Sequence, residues 1–153
     1  DEARVRLVSA QVSGQFLVSG SIEAGESLML STGALLETEF VELNDALRSA
    51  IMKGAVNADL QAYVAVAAEE ALEVRGWQPG DGFRPLGAPG MKKLKDWFID
   101  RHISVKERKL LPLVISQSGE IIWVPGFPPA DTMKIGTATK WALRLTYQRR
   151  NPI

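Results

Sequence analysis

The chain contains no cysteine and a single histidine, His102. Without thiols there are no disulfides and no thiolate metal sites, which fits a reducing compartment. With one imidazole, a multi-histidine metal centre is excluded too. No run of about 18 apolar residues occurs, so no helical membrane span is expected. No signal-peptide pattern opens the chain. It begins at Asp1 rather than Met, as expected of a processed or excised piece. Neither a G-x-x-x-x-G-K-[ST] phosphate loop nor a G-x-G-x-x-G turn after a strand is found. A Ser-His-Asp triad would need His102, which sits amid charged helix residues and reads as structural. Asp81, in "PGDG", reads as a turn-ordering residue.

What is there is enough for a folded core. The chain has 153 residues, 46% apolar and 24% charged, which suits one domain or two small ones and excludes global disorder. The zero net charge hides an asymmetry. Residues 1–73 hold four basic and twelve acidic side chains, a balance of −8, while residues 74–153 hold fourteen and six, a balance of +8. Such a split points to nucleic-acid or membrane contact by the basic half, or to packing of one half beside the other.

Val- and Leu-rich residues 4–12 and 15–22 flank Ser13-Gly14 and predict a β-hairpin. Strands are expected at 28–31 and 34–43, where Leu36, Thr38, Phe40 and Glu42 alternate imperfectly with Glu37, Glu39 and Val41. A helix capped by Asn44 or Asp45 should follow, with Leu47, Ala50 and Ile51 on one face and Gly54 ending it. Residues 58–74, rich in Ala, Leu and Glu, favour helix by propensity, although "AYVAVA" alternates weakly.

The loop "QPGDGFRPLGAPG" carries three prolines and four glycines in thirteen residues and leaves little room for regular structure. A helix is expected over 91–101, with Met91, Leu94, Trp97 and Phe98 on one face. Its start is unusual. Lys92, Lys93 and Lys95 crowd the first turn, where the helix dipole disfavours cations. Ser104 and Glu107 form a capping box for a second short helix, stopped by Pro112. "LPLVISQ" and "EIIWVPG" form a hairpin across Ser118-Gly119. "MKI" and "WALRLTY" could add strands, with Thr137 capping a turn between them. Trp97 and Trp123 read as core; Trp77, beside Arg75, is divided between core and surface. Composition and spacing alone describe a mixed, β-rich domain with a basic half and no visible chemistry.

Residues 75–126 go further. Arg75, Gly80-Asp81, Phe83, Pro85 and Gly87, then "KKLKD" with Phe98, then Arg108, "PLV" and "WVPG", resemble the C-terminal domain of bacterial tRNA(Ile)-lysidine synthetase. The tail "MKIGTATKWALRL" is similar to that family's ending, so the resemblance covers residues 75–145. Gly82 departs from it where arginine is common, Ala88-Pro89 alters the loop, and Ser104 replaces a common proline.

The resemblance implies an α+β, β-rich fold: a β-sandwich-like domain with short attached helices, related to a domain of the phenylalanyl-tRNA synthetase β subunit. It favours strand over helix at 62–67. The domain is expected at 28–153, with residues 1–27 an N-terminal hairpin segment of open membership. The implied parent enzyme is an ATP-dependent carbon–nitrogen ligase that adenylates the wobble cytidine of an isoleucine tRNA and attaches lysine. Its S-G-G-x-D-S nucleotide loop is absent here, so no catalytic residue and no cofactor are expected in this chain. ATP with a divalent ion, and lysine, would be substrates of a separate N-terminal domain. Implied partners are isoleucine tRNA, held by its acceptor stem, and that catalytic domain. No membrane is implied, a homodimer is left open, and the location is cytoplasmic. Arg75, Arg84, Lys92, Lys93, Lys95, Arg101, Lys106, Arg108 and Lys109 are the candidate RNA contacts. The competing expectation is a protein-interaction sandwich without RNA contact.

Overall fold

The computed structural model describes residues 20–30, 32–54, 60–67 and 70–149, together with the backbone of three short strands at 7–10, 12–13 and 16–17. The strands up to the first helix are β1 (Leu7–Ala10), β2 (Val12–Ser13), β3 (Phe16–Leu17), β4 (Gly20–Ile22), β5 (Ser27–Leu30) and β6 (Leu35–Glu42). Helix α1 (Asp45–Met52) precedes β7 (Gln61–Val64), β8 (Leu72–Arg75), β9 (Gly82–Phe83) and β10 (Lys92–Lys93). Then come α2 (Leu94–Asp100), α3 (Val105–Arg108), β11 (Leu113–Ile115), β12 (Ile121–Trp123) and β13 (Trp141–Gln148).

Two sheets carry the fold, one ordered β1-β5-β6-β13-β7 and the other β12-β11-β8-β4. All pairings are antiparallel except β1 with β5. One core joins them: Leu28, Leu36 and Leu145 from the first sheet, Val74, Val114 and Trp123 from the second, and Leu94 and Phe98 from α2. The alternation read in β6 holds, with Leu36 and Thr38 buried and Glu39 exposed. Thr38 is satisfied inside, since its hydroxyl donates to Glu26 O at 2.7 Å and accepts from Gly25 N at 2.9 Å.

Helix α1 forms as its ends dictate. The Asn44 side chain accepts from Leu47 N at 2.7 Å, and Gly54 takes φ +73 just past the end, a backbone region that glycine enters without steric cost. Its apolar side, Leu47 and Ile51, covers a second small cluster of Leu43, Tyr63, Ile135 and Ala142.

Several expectations are revised. Among the described residues, the expected N-terminal hairpin is formed by β2 with β3, while β1 pairs with β5 and β4 with β8; residues 4–6, 11, 14–15 and 18–19 lie outside the described residues. Among the described residues of 58–74 the helix favoured by propensity is not formed; the regular elements there are β7 and β8, because strand pairing with β13 and β11 satisfies the backbone where local propensity would not. "MKI" is not a strand: Met133 closes a 3-10 turn. Thr139 rather than Thr137 caps the next turn, accepting from Gly136 N at 2.9 Å. The hairpin of β11 and β12 is as read. Pro125-Gly126 closes it with Phe127 N donating to Val124 O at 3.0 Å and Gly126 at φ +97.

Candidate nucleic-acid interface

The expected 91–101 helix is shorter than read, and its start resolves the lysine problem. Lys92 and Lys93 are not in a helical turn. They form β10, paired with Phe83 and Gly82 of β9, and Leu94 N donates to Asp81 O at 2.8 Å. Helix α2 begins at Leu94 with Lys93 as its extended N-cap. Only Lys95 therefore stands in the first turn, next to Asp96, whose carboxylate suits that end. Leu94 and Phe98 point inward, whereas Met91 lies outside the helix and is 64% exposed.

At its other end α2 stops on His102, the one non-glycine with positive φ among the described residues, at 56°. His102 N donates to Ile99 O and Ile103 N to Phe98 O, both at 3.0 Å. This is the double bond pattern of a left-handed helix cap. Ser104 caps α3, accepting from Glu107 N at 3.1 Å.

The nine candidate cations fall into two groups. Most are engaged within the chain. Arg75 grips both oxygens of Asp81 at 2.9 Å and also donates to Gly76 O. That hydrogen-bonded carboxylate raises the Arg75 guanidinium further above its ordinary value, against the effect of burial. Asp81 in turn accepts from Gln78 N at 2.8 Å, the turn-ordering role expected of it. Arg84 donates to Ala88 O at 3.0 Å and lies 3.7 Å from Asp131. Lys92 pairs with Asp100 and sits 4.1 Å from the Trp97 ring centre. Arg101 donates to Gly126 O at 2.6 Å and stacks over Phe127. Arg108 donates to Ile103 O at 3.0 Å and faces the Phe98 ring. Lys109 is half-buried.

The other group is Lys93, Lys95 and Lys106, all exposed. None of the three has an acidic partner among the described residues. Exposed Met91, Ile99 and Val105 are interleaved with them in sequence. Sequence reasoning found every cation but missed which were occupied, since their partners include backbone carbonyls and ring faces that no spacing announces.

The tryptophans are likewise placed. Trp123 is fully buried and donates to Phe127 O at 2.9 Å. Trp97 is half-buried, donating to Phe83 O at 2.8 Å. Trp77 packs edge-on against Phe98, its N–H buried without a partner among the described residues. Among the described residues no cluster of His, Cys, Asp or Glu could hold a metal ion. Among the described residues, too, no helix is long and apolar enough to cross a membrane.

Fold and surface together define a two-sheet, β-rich α+β domain with short helices and a lysine-bearing flank. Residues 72–145 match the family described as the TilS substrate C-terminal domain. The chain is 38% identical over 77 residues to a tRNA(Ile)-lysidine synthase of Clostridium perfringens, covering 50% of this chain and 16% of that protein. It is 40% identical over 78 residues to the tRNA(Ile)-lysidine synthase of Caldanaerobacter subterraneus, covering 51% and 16%. A crystal structure of a TilS C-terminal domain superposes with a TM-score of 0.68 at 25% identity, covering 88% of this chain and 99% of that one. Residues 72–145 thus carry the TilS C-terminal domain, and the fold around them is that of a solved TilS C-terminal domain. The matched segment is about a sixth of those relatives' length.

Proposed function

We propose that this domain holds a tRNA, through the phosphates of its acceptor stem, for an enzyme that ligates lysine to the wobble cytidine of isoleucine tRNA. The ligation, with ATP, a divalent ion and lysine, belongs to a separate N-terminal domain of the same protein, in the cytoplasm. The observation that supports the reading is the contrast among the cations. The flank of β10, α2 and α3 ties Lys92, Arg101 and Arg108 into the fold and leaves Lys93, Lys95 and Lys106 exposed, without acidic partners among the described residues. An A-form stem offers phosphates and 2′-hydroxyls that are read mostly by shape. Lysines supply the charge for that, and phosphate contacts position an RNA without reading its sequence.

The test is a titration of the chain with isoleucine tRNA and with a non-cognate tRNA at several salt concentrations. Replacing Lys93, Lys95 and Lys106 with alanine should flatten the slope of log affinity against log salt by about 0.7–0.9 per lysine. Both tRNAs should weaken about equally. An unchanged slope in a folded variant would favour the competing account, a protein-interaction domain without RNA contact.

A further inference from the structure

A cleft opens between residues 32–34, α3 and the end of β13. Its volume is about 400 Å³, and Thr32, Ala34, Glu107, Leu110, Leu111, Tyr147 and Arg149 line it. That is within the range of small-ligand sites, which combine apolar walls with a few converging polar groups. Here Ala34, Leu110 and Leu111 form the apolar part. An acid, a base, a phenol and a hydroxyl supply the rest.

Glu107 and Arg149 line the same cleft, yet neither has an ion-pair partner among the described residues. Glu107 is also not spent on capping. Ser104 Oγ accepts from its backbone N–H, but no described bond returns from Ser104 N–H to its carboxylate, so only half of the expected capping box exists. Burial pushes the Tyr147 phenol up; Arg149 opposes this and Glu107 adds to it. The phenol therefore stays protonated at neutral pH and both charges act on it.

Resting on the tRNA reading above, we propose that this cleft takes one unpaired nucleotide of the RNA. The amino edge of its base donates to Glu107, and its phosphate meets Arg149. Three features favour a nucleotide over another ligand. The two charges suit a molecule with a donor edge and an anion. The apolar walls suit a flat base lifted out of its stack, as unpaired RNA bases are commonly read. And Glu107 directly follows exposed Lys106 in α3, so the helix that walls the cleft also carries one of the proposed phosphate contacts.

The probes are labelled tetracytidylate, tetra-adenylate and tetrauridylate, with a short RNA duplex, titrated against the full chain. Cytosine and adenine carry an exocyclic amine and uracil does not. Both amine-bearing tetramers should bind more tightly than tetrauridylate, by roughly fivefold or more, the lower end for a specific base-edge contact. Glu107→Leu, which removes the acceptor, should erase that preference without lowering duplex affinity. Arg149→Met should weaken all three tetramers alike. Melting curves of both variants establish that they fold. Equal binding of the three tetramers to the parent, or a preference that survives Glu107→Leu, would overturn the assignment. So would release of bound tetracytidylate by free L-lysine, which would give the cleft to an amino acid. A duplex that fails to bind the parent would instead sink the tRNA-holding reading, a separate outcome.

Discussion

Arg75 and Asp81 face each other as a fork and a carboxylate, with two parallel hydrogen bonds of 2.9 Å. Their side chains retain 15% and 12% exposure. The pair ties the end of β8 to the loop that leads into β9. Hydrogen bonds to charged groups contribute about 1.5–3 kcal/mol each, so Arg75→Ala should lower stability by at least that amount in denaturant titration. Asp81→Asn should cost a similar amount, and the double variant less than the two together. A variant that melts like the parent but loses RNA affinity would make Arg75 an RNA contact instead.

Lys92 should behave unlike its neighbours. Its ion pair with Asp100 is solvent-exposed, and such pairs contribute little. Its contact with the Trp97 ring adds about 0.5–1 kcal/mol. Lys92→Ala should therefore destabilise by about 1 kcal/mol and leave the salt slope of tRNA binding unchanged. A slope flattened as much as in Lys93→Ala would show that RNA displaces Asp100.

Trp123→Ala should cost about 3–5 kcal/mol, the range for large aromatic truncations in cores. The indole is fully buried between the sheets and its N–H is used on Phe127 O. Thermal or urea unfolding checks this; unaltered melting would contradict the packing described here.

His102→Gly should stabilise the domain. A side chain in the left-handed region costs about 1–2 kcal/mol, and glycine adopts φ near 56° freely. The imidazole is exposed, so little packing is lost. A rise of about 1 kcal/mol in unfolding free energy is expected, and a fall would mean that the ring contributes contacts of its own.

Local patterns carried much of this. The alternation of Leu36, Thr38 and Phe40, the Asn44 and Ser104 caps, and the hairpin around Ser118-Gly119 were all legible, because each depends on residues a few positions apart. The family, too, was legible from the order of its motifs between Arg75 and Leu145.

Other features needed the chain to close on itself. Residues 61–64 look helical in isolation and are a strand because Val64 and Ala62 lie opposite Leu143 and Leu145. Lys92 and Lys93 leave the helix because β9 is there to pair with them. Which cations remain free was decided by Asp81, Asp100, Asp131 and carbonyls such as Gly126 O. The meeting of Glu107 with Arg149 across one cleft has no local signature at all. Periodicity and capping act over a turn or two of chain, so sequence determines them; an ion pair, an edge strand or a cleft depends on which distant segments pack together, and only the tertiary structure decides that.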